Sequence, residues 1–344
     1  MRYGIISDIH TDPRMVAPMI GILKSEGADK LVLNGDIQET QDTLKDTQDY
    51  LAVVLTAVGK SGLEAYVQPG SHEIFPGFWP VVEYFADRFD NILSISRAVR
   101  VEQGGHHAVF LPGSDACKGE FVIGVDLPTG RYLRTSEGVM PLADAKEANA
   151  GRVLGFLSYQ NIGDLKGCVK DPGKTVVFCH VPRKFSNLEE AVDMAELGIA
   201  TDSFVVSITR YKDGEVQIGS ILRPKAVEST RSIRVNAGSL LMKDAAEDFA
   251  KAGCPVELRR ENRGSDILKE VYLELGITKA VSGHFHESGH RANDCGGAHV
   301  MEGELVGELF WNSGCLSNGQ AGILTVEGGK VSYRNIRLRD YIKR

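Results

Sequence analysis

The 344-residue chain is 42% hydrophobic and 25% charged, enough apolar content for one large domain or a domain carrying a sizeable insertion. A formal net charge of −7 argues against a surface built to coat nucleic acid, which needs cationic side chains to neutralise phosphate. No run of about 18 apolar residues offers a membrane span. The first seven residues enter a strand-like run without the charged start and cleavage site of a leader. Six cysteines, at 117, 168, 179, 254, 295 and 315, form no CxxC pair, so reduced thiols in a cytoplasmic protein are expected.

In chain order, Tyr3–Ser7 reads as a strand ending at Asp8, and His10 follows. Val16, Met19, Ile20 and Leu23 then recur at a helical period closed by Gly27. Lys30–Asn34 is a second strand, running into Gly35-Asp36. Leu44, Leu51, Val54, Leu55 and Val58 mark a helix from Thr43 to Val58. Glu64–Gln68 runs into Pro69-Gly70-Ser71-His72-Glu73, and Thr175–Cys179 ends at His180. These strand runs are short and apolar, as in strands buried on both faces.

Residues 181–263 read as an insertion expected near the mouth of the site, within a single domain of residues 1–344. Ser186 three residues before Glu189 resembles a capping box and predicts a helix over Leu188–Leu197. Ser203–Arg210 and Glu215–Leu222 flank Asp213-Gly214, a hairpin signal. A helix from Ser265 to Leu275 leads to the strand Lys279–Ser282, which runs into Gly283-His284-Phe285-His286.

Strand, helix and strand in alternation predict a mostly parallel sheet, with reactive residues at five carboxyl ends, where α/β sheets bind ligands. Ala108–Leu111, Phe121–Val125, Glu308–Trp311, Gly322–Val326 and Val331–Leu338 are separated by turns. They predict a second, antiparallel sheet packed on the first.

A pair of divalent cations needs carboxylates and imidazoles converging from separate elements, with one ligand shared. Asp8-x-His10 and His284-x-His286 each offer two side chains on one face of an extended segment. Asp36, after a glycine, is the candidate bridge, and His180 supplies a further nitrogen.

The ordered set Asp8-Ile9-His10, Gly35-Asp36, Gly70-Ser71-His72-Glu73, His180 and Gly283-His284-Phe285-His286 resembles the signature of the calcineurin-like metallophosphoesterases. Gly264-Ser265 before a helix, and Asn312-Ser313-Gly314-Cys315 before two terminal strands, look like the smaller prokaryotic members. The resemblance spans residues 1–180 and 264–338. It implies a two-sheet sandwich flanked by helices, here with an α/β insertion. One metal would be held by Asp8, His10, Asp36 and His286, the other by Asp36, Ser71, His180 and His284. Manganese is expected first, with iron, zinc and nickel also suited to mixed His/carboxylate ligation.

One position departs from the pattern: the family has asparagine where this chain has Ser71. The serine oxygen reaches about 1.5 Å less far, one covalent bond, so its coordination is left open as direct, through water or absent.

The resemblance implies hydrolysis of a small phosphodiester or phosphomonoester, a nucleotide or cyclic nucleotide among them, by hydroxide bridging the two metals. It assigns His72 to phosphate stabilisation or protonation of the leaving group. Glu73 is expected to orient its loop. Arg183 and Lys184 are candidates to meet a substrate phosphate. His106, His107, His290 and His299 match no motif position and are expected at the surface or behind the ligands. The alternatives are a metal-dependent nuclease, and a non-catalytic interaction module that keeps the fold, to which only Ser71 points. A homo-oligomer is compatible with the sequence, and neither a membrane nor extended nucleic acid is an expected partner.

Overall fold

A computed structural model describes residues 1–115, 119–143, 151–212, 215–219 and 227–341. The Asp213-Gly214 turn and Cys117 lie outside the described residues, and the five described cysteines are free thiols. Chain contacts divide the molecule into two units, Met1–Asp193 with Asn262–Arg344, and Met194–Glu261. Residues 181–193 and 262–263 therefore group with the first unit.

In the first unit, β1 (Arg2–Ile6), β2 (Lys30–Asn34) and β3 (Glu64–Gln68) pair in parallel. Beyond its first residue each is wholly buried, which is why the sequence shows continuous apolar runs. Parallel pairing requires crossovers, supplied by α1 (Val16–Ser25) and α2 (Leu44–Ser61). The first buries Val16, Met19, Ile20 and Leu23. The second starts at Thr43, whose hydroxyl accepts from the Asp46 N–H, and stops at Gly62 with φ 70°. A third helix, α3 (Phe75–Ala86), leads to β4 (Ile92–Ser94), parallel to β3. Helices and sheet share one apolar core that includes Leu31, Leu33, Leu51, Val54 and Phe78.

The chain continues through β5 (Val99–Gln103), β6 (His106–Leu111), β7 (Phe121–Gly124), β8 (Gly130–Thr135), β9 (Gly138–Pro141), β10 (Val153–Asn161), α4 (Asp164–Cys168) and β11 (Thr175–Cys179). Of these, β7, β10, β8 and β9 form a separate four-stranded sheet.

The second unit holds β12 (Met194–Ala200), β13 (Phe204–Tyr211), β14 (Val216–Ile218), β15 (Val227–Val235), β16 (Leu240–Met242), α5 (Lys243–Lys251) and all but the last residue of β17 (Val256–Asn262). Its strands make two three-stranded sheets, ordered β16-β12-β17 and β14-β13-β15, around Ala200, Val206, Val235 and Phe249.

Back in the first unit come α6 (Asp266–Leu275), β18 (Lys279–Ser282), β19 (Ala292–Asn293), β20 (Leu309–Asn312), β21 (Gln320–Glu327) and β22 (Lys330–Arg337). The two large sheets are ordered β22-β21-β1-β2-β3-β4 and β19-β20-β18-β11-β6-β5. Tyr3, Ile5, Val32 and Tyr66 of the first share a core with Phe110, Phe178, Val281 and Trp311 of the second. The result is an α/β sandwich with flanking helices.

Two expectations are corrected. The terminal strands β21 and β22 join the first sheet as an antiparallel hairpin, while β11 and β18 belong to the second. The centre of that second sheet is parallel, because β6, β11, β18 and β20 pair in register without hairpins. Nor is Leu188–Leu197 a helix: residues 186–193 are irregular and β12 begins at Met194. The Asp193 carboxylate takes the Phe185 and Gly264 N–H groups, and Asn293 takes that of Val192. Ser186 accepts from Lys269 instead of capping a helix.

Candidate metal centre

The segment after β1 is not extended. Asp8 and His10 have φ of 54° and 43°, Asp36 49° and His284 71°, all left-handed. Side chains with a Cβ rarely adopt this conformation, and four of the six described non-glycine residues that do are expected ligands. Strand alternation is thus not what aims Asp8 and His10 together. Backbone bonds hold the turns: Asp8 N–H donates to Gly35 O at 3.2 Å, Ile9 N–H to Asp36 O at 2.8 Å, and Ser317 N–H to Asp8 O at 3.1 Å. Two glycines let the ends approach. A Cβ on Gly35, itself at φ 84°, would lie 2.7 Å from the His180 ring, and one on Gly283 2.3 Å from Asp8 Oδ2.

Ligand atoms meet in three groups: Asp8–His10–His286 and Asp36–His180–His284, which draw on both sheets, and His10–Glu39–His72, from the loops of the first sheet alone. In the first, His10 Nε2 is 3.1 Å from His286 Nε2 and 3.7 Å from Asp8 Oδ1, and His286 Nε2 is 3.2 Å from Asp8 Oδ1. In the second, His180 Nε2 is 3.1 Å from Asp36 Oδ2 and 3.3 Å from His284 Nδ1. Asp36 Oδ2 is also 3.8 Å from His10 Nε2, so this one oxygen faces the first two groups.

The donors fit a cation. Two atoms each about 2.1 Å from one ion are separated by about 3.0–3.4 Å in octahedral or tetrahedral coordination. The far sides of the rings are already engaged: His180 Nδ1 faces Asn34 O at 2.9 Å, and His10 Nδ1 faces Glu39 Oε2 at 3.2 Å. A proton on each Nδ1 leaves the inward Nε2 with its lone pair, the tautomer that ligation needs. Without a cation, burial works against charge on His10, His180 and His286, but Asp8, Glu39 and Asp36 hold His10 at about 10, Asp36 and Asp8 hold His180 at about 9, and Asp8 with Cys315 holds His286 at about 11. Burial likewise opposes ionisation of Asp8 and Asp36, yet His180 and its neighbours keep both below the usual carboxylate range. His284 is pushed down to about 4 by burial and the charge on His180.

His72 lies at the rim, its Nε2 4.0 Å from Asp36 Oδ2 and its Nδ1 2.7 Å from Glu39 Oε2. Glu39 escaped the sequence reading. One of its oxygens serves both His10 and His72, and despite partial burial their hydrogen bonds hold its carboxyl down at about 2. The only sequence signal is an acid three residues beyond Gly35-Asp36.

Ser71 contacts Asp36 rather than either imidazole group: its hydroxyl lies 2.8 Å from Oδ2 and 3.1 Å from Oδ1. Glu73 is fully buried and accepts from the N–H groups of Ile37, Gln38 and Gly70, tying the two ligand loops together. Burial and the nearby Asp36 push it up to about 7. Asn312 donates to Gly283 O and Phe285 O, bracing the turn that carries His284.

Arg183 stacks over Phe185 and Phe310, and Lys184 pairs with Asp266 at 2.7 Å. His106 belongs to the core, 2.9 Å from the Tyr3 hydroxyl, and His290 is buried with Nε2 donating to Ala321 O. His107 is half-buried in β6, and His299 Nδ1 donates to Ala292 O. Among the described residues no helix is long and apolar enough to cross a membrane.

No family model matches the chain, and no curated protein matches its sequence. Among solved structures, the crystal structure of TT1561 of Thermus thermophilus aligns at TM-score 0.49 and 8% identity, over 98% of this chain and 99% of that one. A second solved structure aligns at TM-score 0.49 and 11% identity over 98% of both chains. Likeness at that level carries no inference about activity.

Proposed function

We propose that the chain is a metal-dependent phosphoesterase of the calcineurin-like metallophosphoesterase kind, hydrolysing a small phosphodiester or phosphomonoester with two divalent cations, manganese first. The observation that carries this reading is the sharing of Asp36 Oδ2 between two imidazole–carboxylate groups drawn from opposite sheets. Asp8, His10, Asp36 and His286 would hold one ion, and Asp36, His180 and His284 the other. Bound there, the cations would polarise phosphoryl oxygens and supply hydroxide near neutral pH.

The chain's own residues do the rest. Glu39 fixes the His72 ring through Nδ1, leaving Nε2 directed to the rim where a phosphate oxygen or leaving alkoxide would lie. Glu73 and the Ser71 and His72 amides keep the two ligand loops in register.

The test is metal analysis of purified protein, with hydrolysis of phosphomonoesters, phosphodiesters and cyclic nucleotides in added Mn²⁺. His72→Ala should keep the metal content and lose about 10²–10⁴-fold in turnover. Asp36→Asn should lose both. Absence of turnover on every phosphoester class with cations bound would reject the enzyme reading.

A further inference from the structure

We propose that Ser71 is not a ligand but a positioning residue that clamps the Asp36 carboxylate, so that the two donor groups take up cations with unequal affinity. The inference rests on the two-cation reading above. The two oxygens of Asp36 have different surroundings. Oδ1 accepts the backbone N–H groups of Ser71 at 2.5 Å and His72 at 3.0 Å, so the loop already occupies it. Oδ2 faces one nitrogen from each donor group, His180 at 3.1 Å and His10 at 3.8 Å. The Ser71 hydroxyl straddles the pair, 2.8 Å from one oxygen and 3.1 Å from the other. Its single proton is therefore directed at the carboxylate.

Nor can the loop advance to carry a short side chain further in. A Cβ on Gly70 would lie 2.5 Å from Asp36 Oδ1 and 2.9 Å from the His180 ring, so the backbone already rests against both. With the Ser71 oxygen held beside Asp36 and its loop unable to advance, the His180–His284 group presents three protein donors, counting Oδ2. The Asp8–His10–His286 group presents four, with two carboxylates in place of one. Affinity follows the number and charge of donors. The four-donor position thus retains its cation while the three-donor position exchanges with solution. Free divalent cation then sets the doubly loaded fraction, and with it turnover.

The test is a stepwise Mn²⁺ titration of chelator-stripped protein by calorimetry, on wild type, Ser71→Ala and Ser71→Asn. Because Asp36 Oδ2 serves both groups, releasing its clamp in Ser71→Ala should weaken both steps by a similar factor, about tenfold for a hydrogen bond to a charged group. Ser71→Asn, which also loses the clamp but gains reach, should weaken the stronger step as alanine does and tighten the weaker one. Loss of only the weaker step in Ser71→Ala would overturn the proposal, since that is the signature of a deleted ligand. Unchanged steps in that variant would overturn it too. Should the alanine variant not fold, an asparagine variant that leaves the weaker step unimproved would overturn it. Uptake of fewer than two Mn²⁺ by wild type would instead defeat the two-cation reading itself, before any variant is compared.

Discussion

Replacing Gly283 by alanine tests the site through a single methyl group. The backbone at Gly283 is not left-handed, so alanine meets no conformational penalty there and the effect is one of space. The added carbon would lie 2.1 Å from Ser7 Oγ and 2.3 Å from Asp8 Oδ2. Real Cβ contacts stop near 3.0 Å, so Asp8 must retreat by about 0.7 Å or the His284 turn must lift away from it. Either movement breaks the bonds from the His284 N–H to Asp8, now 3.1 and 3.3 Å. Metal–ligand distances tolerate only about 0.2 Å. Such a shift should therefore weaken cation binding at least 100-fold, or about 2.7 kcal/mol. Overpacking should lower folding stability by about 1–3 kcal/mol, leaving a folded protein to assay. Calorimetric Mn²⁺ titration reads the first quantity and urea melts the second. Wild-type affinity in a folded Gly283→Ala variant would show that Asp8 is not a ligand.

Stripping cations should lower the melting temperature. At 100-fold saturation the ligand contributes about 2.7 kcal/mol, or roughly 5 °C for a unit of this size, and identical melts in chelator and in Mn²⁺ would refute cation binding by the folded state. A second prediction concerns His106, which burial and nearby positive charge push down to about 4. Its folded pKa lies below the ordinary value of about 6.5, so the unfolded chain binds more protons and stability is lost as pH falls from about 6.5 through 4. Between pH 7 and 5, wild type should lose about 1 kcal/mol more than His106→Gln, allowing for solvent screening, and equal acid dependence in urea melts would refute this. Finally, an alanine Cβ at exposed Gly21 in α1 would meet nothing within 4 Å. Gly21→Ala should raise stability by about 0.5–1 kcal/mol, and a lower urea midpoint would contradict the helix placement.

The strand ends and the helices α1, α2 and α6 were legible because unbroken apolar runs and a 3.6-residue period report burial directly. What could not be read was which sheet each strand joins. A strand buried on both faces looks the same in either, so β11 and β18 were placed with β1 although they pair with β6 and β20. The helix α3 was hidden by its prolines: Pro76 and Pro80 read as punctuation, although Phe75, Phe78, Trp79, Val82 and Phe85 recur at a helical period. The false helix at Leu188 had the right capping letters, but Asp193 and Asn293 hold its neighbours' backbone in another path. Glu39 was missed because it acts through His10 and His72, contacts that arise only after Asp36 turns the chain left-handed.

The same left-handed turns explain why the motif has its spelling. Each costs roughly 1–2 kcal/mol for a residue with a Cβ, and Asp8, His10, Asp36 and His284 all carry that cost. Local sequence cannot hold them; bonds from other segments do, through Gly35 O to Asp8, Ser317 N–H to Asp8 O, and the Asp8 carboxylate to the His284 N–H. These bonds join β1 to the loop after β2, to the turn before β21 and to the loop after β18, so they require the sandwich to be closed. Glycine precedes Asp36 and His284 because those are the points of closest approach, where the structure leaves 2.7 Å or less for a Cβ. The ligand geometry is therefore a product of tertiary closure: the strained turns favour relaxed loops that would pull the imidazoles apart, and the bonds between segments oppose that relaxation.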